Sequence, residues 1–202
     1  MNKNPPDLSN LSQGSANRDG LTLDDGPFDG PAGMPPRPGQ IVCGDIGMHI
    51  DRHGIWYYRG SSINRQELVK LFSTVLRRDE AGDHWLITPA EMARIDVEDA
   101  PYMAVEMLAD GNGRDQVIGF RTNIDAEVAL DTAHPLRVDI DAGDDTPAPY
   151  VGLDHGLEAK LNRAVFYDLV SLGVEEIIKG EHIFGVWSHG AFFAIGDMPE
   201  DS

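Results

Sequence analysis

His49, Asp51 and His53 stand at alternate positions, so on a strand all three project from one face. Ligands of that type in threes suit zinc or iron. The same alternation keeps one face of a surface strand wet, and Gly54 marks a turn that begins at His53, so the spacing favours the wet strand. Asp139, Asp141, Gly143, Asp144 and Asp145 open like a calcium loop. The EF-hand pattern fails where its sixth position holds Asp144 instead of glycine and its twelfth holds Tyr150 instead of glutamate. An ordinary acidic loop is the expectation. Val186 to Gly190 lacks the first glycine of a nucleophile elbow, and adjacent Ser188 and His189 on a strand point to opposite faces. Cys43 has no evident activating base, and His182 and His189 flank a turn as surface residues. Gly111 and Gly113 precede a strand, which fits neither a P-loop nor a dinucleotide fingerprint. No signature of established catalysis emerges, and no metal or cofactor is expected.

What remains is the placement of the cations. Twelve of the 16 basic residues are arginines, whose planar fork suits carboxylates and phosphates. With 34 acidic residues and a net charge of -18, most arginines are expected to pair with a neighbouring acid. Three stand among polar or aromatic neighbours in strand or turn contexts: Arg65 after Gly60, Ser61 and Ser62; Arg121 between Phe120 and Thr122; and Arg137 after His134. They are the expected contacts for a small anion, with Thr88, Asn123 and His134 as hydrogen-bonding partners. Trp56 or Trp187 could offer a stacking face, although core packing is the commoner use of either ring. The same charge argues against binding to DNA, RNA or an anionic membrane surface, which reward Lys and Arg. The single cysteine excludes an intrachain disulfide and thiolate-rich metal sites. No apolar run approaches the roughly 18–20 residues of a membrane span, and the first residues lack the apolar stretch of a signal peptide. A cytoplasmic location is expected.

The elements that must position these residues begin after residue 40. Residues 1–40 hold 7 of the 13 prolines and 6 of the 22 glycines and read as a disordered leader. Of the net charge, -2 lies in the leader and -16 in residues 41–202. At roughly 100–200 residues per domain, the remainder is read as two α+β units, 41–100 and 101–198. Strands are expected at Met48–Ile50 and Ile55–Tyr58 around a turn at His53-Gly54. Leu68, Leu71, Phe72, Val75 and Leu76 predict a helix over 64–78. A strand through Trp85–Ile87 follows, and Thr88, Pro89 and Glu91 predict a short helix. Ile95–Val97, Pro101–Leu108, Gln116–Asn123, Ala126–Leu130 and Leu136–Ile140 read as strands, with a hairpin turn at 110–113. Leu157, Leu161, Val165 and Leu169 predict a second helix over 156–172, ended by Gly173. A last hairpin joins His182–Trp187 to Ala191–Ile195. Each half thus repeats an extended segment, a helix, a turn and a strand bearing a tryptophan, a faint duplication.

Several of these segments, taken in order, resemble a bacterial family catalogued as domain of unknown function 1285. They are Gly54-Ile55-Trp56, Gly60 to Arg65, Leu68 to Phe72, Leu76-Arg77-Arg78, Leu86 to Glu91, Val97 to Tyr102, Thr122-Asn123, His134 to Val138 and Gly185 to Ser188. The resemblance covers roughly residues 44–197. It implies a duplicated α+β architecture of two similar units, antiparallel strands plus one main helix each, the second superficially like a pleckstrin-homology fold. It also implies a small, nucleotide-based ligand at the domain interface and a part in signalling. The leading expectation is therefore a non-enzymatic small-ligand sensor or regulatory module. Its first rival is a hydrolase or transferase using His134 as base with Asp99 or Glu106, assisted by metal at His49, Asp51 and His53. Its second is an adaptor whose acidic body meets a basic protein partner.

Overall fold

The computed structural model describes residues 30–140 and 146–197, and alternation of apolar and polar side chains builds about half of them into strands. The contacts divide the chain into two compact units between Asp99 and Ala100. The first holds β1 (Ile41–Ile50), β2 (Trp56–Tyr58), β3 (Ser61–Ser62), α1 (Gln66–Ser73), β4 (Leu76–Arg78), β5 (His84–Ile87) and β6 (Glu91–Val97). They form one sheet in the order β3-β2-β1-β6-β5-β4, antiparallel except for the central pair β1 and β6. Met48 and Ile50 of β1, Leu76, Leu86, Met92 and Ile95 are buried with Val69 and Phe72 of α1. Trp56 is 1% exposed and stacks on Phe72 with ring centroids 6.2 Å apart.

The second unit holds β7 (Tyr102–Asp110), β8 (Val117–Thr122), β9 (Glu127–Ala129), β10 (Leu136–Ile140), β11 (Pro147–Gly152) and β12 (Glu158–Leu161). Then come α2 (Arg163–Ser171), β13 (Val174–Ile178), β14 (Glu181–Ser188) and β15 (Ala191–Asp197). Its six-stranded sheet runs β10-β11-β12-β7-β8-β9, again antiparallel except for the central pair β12 and β7. Read from the other edge this is the strand order of the first unit, so the two sheets share one topology. A separate three-stranded sheet, β13-β14-β15, completes the unit. Among the described residues the fold is mostly β with two α-helices.

The helices are shorter than the sequence pattern predicts. The helix expected over 64–78 ends at Ser73, and Leu76–Arg78 is strand β4, paired with β5 through Leu76 and Leu86. Thr74 and Val75, both β-branched, follow the last helical turn and disfavour its extension. The helix expected over 156–172 spans only Arg163–Ser171, because Ala159 and Leu161 alternate inward on β12 between β11 and β7. The spacing of four between Leu157 and Leu161 matches a strand face as well as a helical one. Asn162 caps α2 by accepting from the Val165 amide at 2.9 Å. No helix forms at Thr88–Glu91. Instead Thr88 Oγ1 accepts from the Glu91 amide at 3.0 Å and closes a tight turn between β5 and β6. The duplicated element is also the sheet, not the helix: α1 lies between the third and fourth strands, whereas α2 follows the sixth. The strands and hairpins expected at 48–58, 85–87, 95–140 and 182–195 are present. The leader's first 29 residues and loop 141–145 lie outside the described residues.

Candidate functional site

Residues 30–40, read from sequence as leader, lie against the first unit. Asp79 Oδ2 accepts from the Ala32 amide at 3.0 Å, and the Glu80 amide donates to the Ala32 carbonyl at 3.2 Å. At the other end Gln40 Nε2 donates to the Thr88 carbonyl at 2.6 Å, and Gln40 Oε1 accepts from the Arg37 amide at 2.8 Å. The Ile41 amide, donating to the Ala90 carbonyl at 2.8 Å, then leads into β1. Prolines 31, 35, 36 and 38 restrict the unfolded chain as well, which lowers the entropy lost when this segment is ordered.

Between this segment and the β4–β6 edge lies a cleft of about 460 Å³. Met34, Pro35, Ile87, Pro89 and Met92 give it apolar walls, and Arg37 and Arg77 give it charge. Gln40 and Thr88 complete the lining, which contains no aspartate or glutamate. Arg77 Nη1 donates to the carbonyls of Thr74 at 3.1 Å and Leu76 at 2.6 Å, so its guanidinium is held in place. A second cleft of about 440 Å³ is lined by Arg78, Arg94 and His84 but also by Asp45, Asp83, Asp96 and Asp99. There Arg94 is paired with Asp83 at 2.9 Å.

The residues selected from sequence have other occupations. Arg65 is the exposed N-terminal boundary residue of α1, with no capping hydrogen bond from its side chain. Thr88 is buried and closes the β5–β6 turn. Trp56 is core. In the second unit, Arg121 of β8 pairs with Glu106 of β7 and lies 3.3 Å from Asp125. The hydrogen bond and charge of Glu106 push the Arg121 pKa higher still. Asn123 Oδ1 accepts from the Met103 amide at 3.2 Å and fastens the end of β8 to β7. Arg137 of β10 binds Glu158 through two hydrogen bonds, at 3.0 and 2.9 Å, pairs also with Asp139, and lies 4.3 Å over the Tyr150 ring. His134 lies between Asp131 at 3.2 Å and Asp154 at 3.6 Å. Trp187 donates to Glu176 at 2.9 Å beneath Arg114, whose guanidinium is 4.5 Å from the ring centre. Strands β8 and β10 are separated by β7, β12 and β11 in the sheet, and Arg121 and Arg137 each carry their own carboxylates.

The remaining motifs resolve in the same way. Ser188 is fully buried and its Oγ accepts from the Ile118 amide at 3.0 Å, joining β14 to β8. Burial, then the charge of Glu91, raises the Cys43 pKa and leaves the thiol a poor nucleophile. Asp51 accepts from the His53 and Ile55 amides and from Tyr57 Oη. Burial would raise its pKa, but these hydrogen bonds outweigh it and the net shift is downward. Among the described residues no three His, Cys, Asp or Glu side chains are grouped to hold a metal, and no helix is long and apolar enough to cross a membrane. Sequence reasoning missed Arg37 and Gln40 by assigning them to the leader, and placed Arg77 within the helix expected over 64–78. Proline on both sides of Arg37 was the available signal of a fixed backbone.

Comparison with known proteins agrees with the sheet topology. Residues 38–100 match the N-terminal domain, and residues 101–195 the C-terminal domain, of DUF1285, a family described as of unknown function. The chain belongs to the DUF1285 family. A crystal structure of a family protein from Silicibacter pomeroyi is 39% identical, covering 84% of this chain and 90% of that one, with a TM-score of 0.73. Another, from Shewanella baltica, is 28% identical over 62% of this chain and 91% of its own, with a TM-score of 0.50. No curated protein matches the chain. Two DUF1285 domains in succession account for two sheets of one topology.

Proposed function

We propose that the protein is a non-enzymatic module that binds a small anionic ligand in the cleft between residues 34–40 and the β4–β6 edge, and acts as a sensor or regulator in signalling. One observation carries this reading: in a chain of net charge -18, the cleft is lined by two arginines and no carboxylate. Anions are repelled by most of such a molecule, and a lining free of acids is where they are repelled least. Arg121 and Arg137 of the second unit face Glu106 and Glu158, which an incoming anion would have to displace. The hydroxyl of Ser188 and the thiol of Cys43 are unsuited to nucleophilic work, which supports binding over chemistry. The pleckstrin-homology likeness of the second unit belongs to the same reading, and a mainly antiparallel six-stranded sheet followed by α2 supports it.

A thermal-shift screen of the full chain against inorganic phosphate, nucleotides and simple carboxylates tests the proposal. A ligand of the folded state raises the unfolding temperature by mass action. At least one anion is expected to stabilise the protein, with the effect lost in Arg37→Gln/Arg77→Gln and kept in Arg121→Gln/Arg137→Gln. Stabilisation that survives the first pair and disappears in the second would move the site to the second unit. No stabilisation by any anion would remove the reading.

A further inference from the structure

The walls of the Arg37–Arg77 cleft describe the rest of the ligand. We infer that it is an organic monoacid with an extended apolar body, of which a medium-chain carboxylic acid is the simplest form, and not a nucleotide. This rests on the anion-binding reading above and narrows it.

Three observations on the lining carry the inference. Five of the nine lining residues are Met34, Pro35, Ile87, Pro89 and Met92, and flexible thioethers conform well to an alkyl chain. No aromatic residue lines the cleft, so a nucleobase finds no stacking platform of the kind nucleotide readers use. Its two uncharged polar side chains are already engaged within the protein. Gln40 spends its amide nitrogen on the Thr88 carbonyl and its oxygen on the Arg37 amide. Thr88 spends its hydroxyl on both the amide and the carbonyl of Glu91. Beyond the arginines and the remaining N–H and lone pair of Gln40, a base edge or a ribose finds no side-chain partner there, and polar surface desolvated without a partner costs binding energy. The charge is modest and fixed, because the backbone carbonyls of Thr74 and Leu76 hold Arg77. That suits one acid group better than the multiple charges of a nucleoside triphosphate beside an acidic body. The volume of about 460 Å³ falls inside the roughly 300–1,000 Å³ of small-molecule sites.

Titration calorimetry of the full chain with hexanoate, octanoate, decanoate, octanol and AMP, all below micellar concentrations, decides the matter. Each added methylene is expected to tighten carboxylate binding about fourfold, the equivalent of ~0.8 kcal/mol per buried methylene. Octanol and AMP are expected to bind at least tenfold more weakly than octanoate. Arg37→Gln/Arg77→Gln should weaken all three acids to the level of octanol. Met34→Ser, a change at a part-exposed position, should flatten the chain-length dependence while the protein stays folded by circular dichroism. Binding of AMP that depends on the two arginines, with no dependence on acyl length, would overturn the monoacid and keep the anion site. Equal binding of octanol and octanoate, indifferent to the two arginines, would overturn both.

Discussion

Asp79 gathers more of the first unit than any residue singled out by type. One carboxylate oxygen accepts from the Ala32 amide and Trp85 Nε1, both at 3.0 Å, and the other from the Ala81 and Asp83 amides at 2.9 and 2.8 Å. Burial works against its ionisation, but these donors outweigh it and its pKa lies below the usual aspartate range. The sign follows from linkage: a carboxyl whose pKa is lowered by folding adds stability above its unfolded value and loses it as the pH falls through the folded one. Asp131, bonded to the His134 and Ala133 amides, shifts in the same direction, as does Asp51. Chemical denaturation from pH 6 down to pH 2.5 should therefore show stability falling below the usual aspartate range. Asp79→Asn should lower stability at neutral pH by about 1–3 kcal/mol, and the gap to the parent should narrow as the pH falls. A gap independent of pH would mean that the charge of Asp79 is immaterial. Its role was illegible in sequence because its partners come from a proline-rich segment, a turn and Trp85 of β5. Arg137 was legible as unusual, but Glu158, which occupies it, is far along the chain and belongs to a segment whose apolar spacing reads as helix.

Hairpins were the most legible elements, because each is local: the turns at 53–54, 110–113 and 188–190 carry the glycines that a reversal requires. Helix extents were not, because a strand buried on one face and a short helix share the spacing of four. Strand pairing decided between them, Leu76 with Leu86 in the first unit and Lys160 with Tyr150 and the distant Met103 in the second. Gly185, where the β14–β15 register shifts, illustrates the constraint on such an element. A Cβ there would lie 2.2 Å from the Phe193 carbonyl oxygen, and that backbone cannot rotate aside as a side chain could. Gly185→Ala is expected to cost about 1–3 kcal/mol, read as a lower denaturation midpoint with an unchanged slope. No loss of stability would mean that β14 and β15 can separate there at little cost.

Over the whole molecule, the charge of -18 has a consequence for stability as well as for partners. Self-repulsion in a compact acidic body is relieved by salt. The unfolding temperature at pH 7 should therefore rise between about 10 and 150 mM sodium chloride, where the Debye length falls from about 30 to 8 Å. A fall would show that ion pairs such as Arg94–Asp83 and Arg137–Glu158 outweigh the repulsion. Two units were legible in the order of motifs, but the form of their likeness was not. The repeat lies in hydrogen-bonded strand order, which leaves almost no trace in residue identity, while the helices that drew attention occupy different places in it.

The parallel pair at the centre of each sheet sets a timetable. It joins the first strand of a unit to its sixth, Cys43 to Ala93 and Tyr102 to Ala159, so neither sheet can close until its last strand has left the ribosome. Until then the three-stranded meander that opens each unit keeps an open inner edge, and contacts this distant in sequence form slowly. During synthesis the first unit must hold β1 unpaired on that side while roughly forty further residues are added, a window in which a nascent chain is most exposed to wrong partners.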